Sequence, residues 1–139
     1  MKVHLFKYKK SQKIIVKENS YEFKRISLLY GVYGLRALEC IRLQDIQIEA
    51  AKKTIKKVIK KLGILWVTIE ANYPITKKPQ QVRMGKGKGS FSHSVGVVKK
   101  GTILFEIGGI KLTKKLAFLA LKLAAGKLPI KTEICIYKN

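Results

Sequence analysis

The chain has 139 residues, 47% of them hydrophobic, with 30 Lys and Arg against 8 Asp and Glu, a formal net charge of +22. The length suits one domain, and the apolar content is enough for an ordinary core, which excludes a wholly disordered basic tail. Self-repulsion at such a charge opposes compaction, so the chain requires a polyanionic partner, either nucleic acid or an anionic membrane surface.

Residues 1–24 read as a basic N-terminal arm and residues 25–139 as a single α+β domain. Within the arm, Ile14-Ile15-Val16 is expected to add an edge strand. Met1–Phe23 has no Arg, two Ser, and acids at Glu18 and Glu22, which makes a poor transit peptide and a poor signal peptide. Arg25–Leu38 is rich in β-formers (Ile26, Leu28, Tyr30, Val32, Tyr33), and Gly31 and Gly34 mark a bulge or a close backbone approach. Asp45–Leu62 is the clearest helix. Ile48, Ala51, Ile55, Val58, Ile59 and Leu62 recur at three- and four-residue spacing, Asp45 and Glu49 suit the N-terminus, and Gly63 is expected at C′. Lys52/Lys53, Lys56/Lys57 and Lys60/Lys61 lie along one flank of this helix with no acid among them, where a solvated face would alternate sign. RNA contact and a solvated face are the two readings of this flank, and the first is preferred.

Ile64–Ile69 reads as a buried strand leading into a long loop, Glu70–Ser94. Val95–Lys99 and Thr102–Ile107 are expected to form a hairpin that turns at Lys100-Gly101. Leu112–Ala125 is a second helix capped by Thr113, with Leu116, Leu119, Ala120, Leu123 and Ala124 as its stripe and Gly126 and Pro129 as its stop. Ile130–Tyr137 is a final strand. No run approaches 18 apolar residues, which excludes a transmembrane span.

The segment around which the rest is organised is Lys77–Gly89, KKPQQVRMGKGKG, in which five of 13 residues are cationic and none is acidic. Glycine accepts φ > 0 and lets backbone N–H groups approach a partner closely, so alternating Lys and Gly offers both charges and amide donors to phosphates. A lysine-rich run is often no more than a solvated loop. The Walker spacing fails, because Gly89 is followed directly by Ser90, and the dinucleotide spacing places Ser90 or Ser92 where the third glycine belongs. The basic residues are 26 Lys and only 4 Arg. Lys acts as a phosphate-directed point charge, whereas base-edge readers use bidentate Arg. The bias favours backbone and shape recognition, and an AT-rich genome would produce it as well.

Cys40 and Cys135 lack C-x-x-C spacing and are expected to be buried, unpaired thiols. His4 and His93 are isolated, and no metal or cofactor site is expected. The acids Glu18, Glu22, Glu39, Asp45, Glu49, Glu70, Glu106 and Glu133 are scattered, and no nucleophile–base arrangement stands out, so neither an enzyme nor a small-molecule substrate is expected.

Pro74-Ile75-Thr76-Lys77-Lys78-Pro79 and Val82-Arg83-Met84-Gly85-Lys86-Gly87-Lys88-Gly89 closely resemble the bacterial-type large-subunit ribosomal protein sixteen family. The likeness extends upstream to Tyr30-Gly31-Val32-Tyr33-Gly34-Leu35-Arg36-Ala37 and Gln47-Ile48-Glu49-Ala50-Ala51. Downstream it takes in Leu104-Phe105-Glu106-Ile107 and Lys127-Leu128-Pro129-Ile130-Lys131-Thr132, so that it spans Leu29 to Thr132. This resemblance implies a compact two-helix α+β fold on a mixed or antiparallel sheet, with a long basic glycine-rich loop. It implies a structural constituent of the large ribosomal subunit, bound to large-subunit rRNA near the peptidyl-transferase region, touching neighbouring ribosomal proteins and helping to position aminoacyl-site tRNA. The residues so assigned are Lys77, Lys78, Arg83, Met84, Gly85, Lys86, Gly87, Lys88 and Gly89 in the loop, Arg36 and Arg42 upstream, and Lys53, Lys56, Lys57 and Lys60 on the helix flank. Arg83 has the planar fork suited to a specific contact, and Met84 packs on a base or ribose or else fills a gap. The chain departs from the family at Glu39-Cys40-Ile41, at Ser94 where a Trp is usual, at Gly96 for a common Ala, and in an arm that is not Arg-rich. The alternative is a basic RNA- or DNA-binding protein outside the ribosome. No membrane partner is expected. A mitochondrial, organelle-encoded member is the expected source, with a bacterial cytoplasm or plastid as the other options.

Overall fold

The computed structural model describes residues 10–17, 20–23 and 26–137. Its elements are β1 (Tyr33–Ala37), β2 (Ile41–Gln44), α1 (Asp45–Ile59), β3 (Ile64–Val67), β4 (Tyr73–Lys77), β5 (Ser90–Val98), β6 (Ile103–Gly108), α2 (Lys114–Ala125) and β7 (Thr132–Ile136). The strands form two sheets, ordered β3-β6-β1-β7 and β2-β5-β4, and every strand pair is antiparallel. This is the α+β architecture expected.

The core is one cluster that runs through both sheets and both helices. Leu35, Phe105 and Ile107 come from the centre of the four-stranded sheet, Leu43 and Val98 from the other sheet, Ile48, Ala51, Ile55 and Ile59 from α1, and Ala120, Leu121 and Ala124 from α2. Helix α1 follows the expected stripe at its centre, but it stops at Ile59. Lys60 takes φ +52°, while Leu62 stays 42% exposed. The expected C′ residue, Gly63, serves a different purpose. A Cβ there would sit 3.0 Å from the Gly108 carbonyl oxygen and from Ile59, and the backbone of Gly109 packs on Gly63 from the other side. The α1 N-terminus is fixed by Gln47, whose side-chain oxygen accepts from the Gln44 N–H at 3.0 Å.

Helix α2 buries a face one position away from the one the leucines mark. Ala117, Ala120, Leu121 and Ala124 are buried, and Leu119 and Leu123 are about half exposed. Small residues at these positions let α2 lie close against α1. Thr113 is the N-cap by backbone conformation, without a side-chain cap bond.

Four further expectations are corrected. Ile14–Val16 forms no strand, and the arm instead makes an isolated parallel bridge, Tyr21 to Lys100. β3 is an edge strand with Ile64 exposed, not a buried one. Glu70–Ser94 is not one loop, because β4 and the first half of β5 lie within it. β5 and β6 do not pair with each other. The chain changes sheets at Lys100–Gly101, where Gly101 has φ +92° and the Thr102 N–H donates to Lys99 O at 3.2 Å.

The outer face of the four-stranded sheet is covered by the segment 28–31. Leu28 packs on Gly34 so closely that a Cβ there would lie 2.2 Å from it. Glu106 on β6 is 1% exposed, and its carboxylate accepts from the N–H groups of Leu29, Tyr30 and Gly31 at 3.1, 2.7 and 2.9 Å. Tyr30 then stacks on Trp66, with ring centroids 6.2 Å apart. The close approach anticipated for Gly31 is borne out, since a Cβ there would lie 2.8 Å from the backbone of Ile107.

Candidate nucleic-acid interface

The glycine-rich ribbon is the tip of the β4–β5 hairpin. β4 delivers Lys77, and β5 takes the chain back from Ser90, which pairs with it. At the tip Gly85, Lys86 and Gly87 take φ of +94°, +53° and +83°, three consecutive left-handed residues. Added Cβ atoms at Gly85 and Gly87 would meet nothing within 4 Å, so the constraint at these two is conformational rather than steric. Gly89 differs, because a Cβ there would lie 2.5 Å from Lys77 O where the two limbs pinch together.

Arg83 is exposed and has no hydrogen-bond or ion-pair partner among the described residues. Met84 is 99% exposed and fills no gap in the protein. Lys78 folds back to donate to Gly85 O. Lys88 donates to Ser11 O in the arm, and Lys10 returns the bond to Lys88 O at 3.2 Å. Lys10 thus holds the backbone of Lys88 while Lys88 holds the backbone of Ser11, and among the described residues no acid lies between the two cations, an arrangement that a phosphate would relieve.

The arm reaches the body at a second point. The Cys40 thiol donates to Ser20 O at 3.0 Å and accepts from the Lys100 N–H at 3.3 Å, while Glu22 N–H donates to Lys100 O at 3.0 Å. Cys40 and Cys135 are free thiols, as expected, but half-buried rather than buried. Burial raises the Cys135 thiol above its ordinary value, against the pull of Arg36 in the other direction.

The remaining assigned residues lie on other elements. Lys53, Lys56 and Lys57 on α1 and Lys60 at its C-cap are exposed and spaced i, i+3, i+4, i+7 along one flank. Lys53 lies 3.6 Å from Glu49, an exposed pair that contributes little. Arg42 is half-buried on β2, opposite Val97. Arg36 on β1 is engaged within the protein. Its guanidinium donates to Glu133 at 2.8 Å, and that bond raises it above its ordinary value. Among the described residues no hydrogen bond or ion pair links the ribbon to the α1 stripe, and the ribbon's contacts run to the arm instead.

Sequence reasoning missed Glu106. The signal was available, because Glu106 is a lone acid in the apolar run Ile103–Ile107 of a chain otherwise poor in acids. It missed β2 as well, in a segment noted only for its departure from the family at Glu39-Cys40-Ile41.

The loop geometry gives a direct test of its order. Inside the ribbon the Val82 N–H bond to Pro79 O is long, 3.4 Å, and the side chains from Gln80 to Lys88 are exposed. Amide exchange in the free protein is therefore expected to be fast across 80–88 and slow in α1 and α2. Equal protection in all three segments would contradict a ribbon ordered by its partner.

The family model for ribosomal protein L16p/L10e matches residues 4–135. The chain is 48% identical over 103 residues to the large ribosomal subunit protein uL16 of Buchnera aphidicola subsp. Baizongia pistaciae, covering 74% of each chain. It is 44% identical over 108 residues to that of Blochmanniella pennsylvanica, covering 78% of this chain and 79% of the relative. To that of Karelsulcia muelleri it is 42% identical over 130 residues, covering 94% and 93%.

Proposed function

Because the chain belongs to the ribosomal protein L16p/L10e family, we propose that this structural constituent of the large ribosomal subunit binds large-subunit rRNA near the peptidyl-transferase region and helps position aminoacyl-site tRNA. It is a structural protein, not an enzyme. The observation that supports the division of labour is the placement of the ribbon. Arg83, exposed and without a partner among the described residues, and three left-handed residues stand at the tip of a hairpin whose root is built into the core. The body, with its α1 lysine stripe and basic arm, holds an address on rRNA, and the tip reaches where no packed element fits. Lys86 and Lys88 neutralise phosphates, Arg83 makes the directional contact, and Met84 meets a base or ribose. The half-exposed leucines of α2 are available to neighbouring ribosomal proteins.

The composition favours an organelle, whereas the three relatives named above are bacterial. Sequencing the rRNA that co-purifies with the chain distinguishes these sources.

Replacing Arg83 with Ala, or Gly85 and Gly87 with Val, tests the role of the tip. Neither change touches the core, so the variants are expected to fold and to enter large subunits. Loss of one charge-assisted contact costs about 1.5–3 kcal/mol, or roughly 10- to 150-fold in aminoacyl-site tRNA affinity for Arg83→Ala. The two valines act through φ alone, since the space beside both glycines is open. Subunits that carry either variant and bind tRNA with undiminished affinity would overturn the tip assignment.

A further inference from the structure

We infer that the Tyr30–Trp66 stack on the outer face of the four-stranded sheet is a platform for one unpaired base of RNA. The inference rests on the rRNA-binding role above and adds a seat for a base to the phosphate contacts of the lysines.

The stack is built from the sheet upward. Trp66 on β3 pairs with Glu106 on β6, and Ile64, two residues earlier, pairs with Gly108, so all of them share one face. Gly31 and Gly108 let the segment 28–31 lie flat on that face. A Cβ on Gly31 would lie 2.8 Å from the Ile107 backbone, and one on Gly108 would lie 3.1 Å from the Trp66 ring and 3.5 Å from Gly31 Cα. The Glu106 carboxylate gathers the N–H groups of Leu29, Tyr30 and Gly31, which fixes the backbone that carries the Tyr30 ring. The two rings are then 23° from parallel.

The result is an aromatic ring held in place and left in the open. Tyr30 is 65% exposed although it stacks on Trp66. A side chain whose only task was to cover the sheet would be buried there, as Leu28 is. A fixed, exposed ring is the surface on which proteins stack an unpaired base, and ordering it beforehand lowers the entropy lost on binding.

Cations gather at one end of the same sheet. A Cβ on Gly109 would lie 2.8 Å from Gly63 Cα, and this close packing brings Lys60 and Lys61, which follow α1, to the end of the sheet that carries Lys111 in the Gly109–Leu112 turn. All three lysines are exposed. Ile64 begins β3 at that end, and Trp66 lies two residues along, about 7 Å away at about 3.4 Å per residue. Lysines so placed suit the phosphates that flank a stacked base, and they continue the α1 flank. The acid beneath the platform, Glu106, is buried and turned toward its three N–H donors. A base inside an A-form duplex hides both its faces, so the platform selects single-stranded segments.

Tyr30→Leu tests this in the full-length chain, because leucine keeps an apolar side chain at a mostly exposed position and removes the π face. Binding to a mixed-sequence single-stranded RNA of about 12 nucleotides and to the matching RNA duplex is compared at about 100 mM salt. The expected result is a roughly 5- to 150-fold loss for the single strand, no change for the duplex, and recovery with Tyr30→Phe. The unaltered chain supplies a check that no loss of fold can mimic. Irradiated with a single strand that carries iodouridine, it should cross-link at Tyr30, and with the duplex it should not. Equal loss on both RNAs, or single-strand cross-links that never include Tyr30, would overturn the platform. Loss on neither RNA would overturn it as well and leave the ring to a neighbouring protein. The parent reading is tested separately by exchanging Lys53, Lys56, Lys57 and Lys60 for Gln. If that variant loses rRNA binding while Tyr30→Leu loses none, the platform alone fails. If neither variant nor added salt alters rRNA binding, the rRNA reading fails with it.

Discussion

Raising the salt from 50 to 200 mM is expected to weaken binding of the free chain to large-subunit rRNA by about 10³- to 10⁵-fold, the loss that follows when about 6–10 phosphate contacts release their counterions. The source of so steep a slope is a net charge of +22 presented largely as lysine. Part of it can be removed surgically. Lys53, Lys56 and Lys57 on α1 and Lys60 at its C-cap lie exposed along one flank, and none of them is in the core. Exchanging all four for Gln keeps good helix formers at the three positions inside α1. It should lower the salt slope by about one unit per lysine and the affinity by roughly 10²- to 10³-fold near physiological salt. Incorporation into subunits should fall with it, whereas the Arg83 and glycine variants should still enter. A slope unchanged by the four substitutions would mean that this face of α1 is solvated.

Glu106→Ala is expected to destabilise the fold by about 3–5 kcal/mol, measured by urea unfolding. Three N–H donors lose their acceptor at once, and charge-assisted bonds are each worth about 1.5–3 kcal/mol. The sum is reduced because Leu29 and Tyr30 lie at the surface and regain water. Glu106→Gln should fall between the two, since its amide oxygen still accepts while its NH₂ is brought into a site made of donors. Trp66 is the single tryptophan, and Tyr30 stacks on it, so its fluorescence should report loosening of the 28–31 segment before global unfolding. A change within about 0.5 kcal/mol would show that the carboxylate does not hold that segment.

The helices were legible because periodicity survives without knowledge of partners. Ile48, Ala51, Ile55 and Ile59 mark the buried face of α1 whatever packs on it. Their ends and azimuth were less so. α2 turns Ala117 and Leu121 inward because it packs against α1, a fact that the leucine pattern at 116, 119 and 123 cannot carry. β4 falls inside the segment read as one long loop, and Pro74 is no obstacle to it, because β4 is an edge, the one place in a sheet where proline is tolerated. β2, at four residues with Arg42 and Gln44 pointing away from Leu43, is too short for alternation to register. Lys100-Gly101 looked like a hairpin turn because sequence shows where a chain bends and not which sheet it joins next. The ribbon itself was plain from composition. What composition could not separate is Gly89, fixed by a contact with Lys77, from Gly85 and Gly87, fixed by φ alone.

The change of sheets at Lys100–Gly101 makes the hairpin a lever. β5 runs nine residues from its root to Ser90, about 30 Å at about 3.4 Å per residue, and the ribbon extends beyond it. A tilt of about 5° at the root would therefore carry the far end of β5 by about 2–3 Å, enough to make or break a hydrogen bond. Tyr21 and Glu22 act as a stay on that pivot, because both hold Lys100, and the arm they belong to returns at Lys10 and Ser11 to grip the lever near its tip. Strain applied to the arm would thus be felt as displacement of the ribbon, with the joint and the load borne by different ends of one strand.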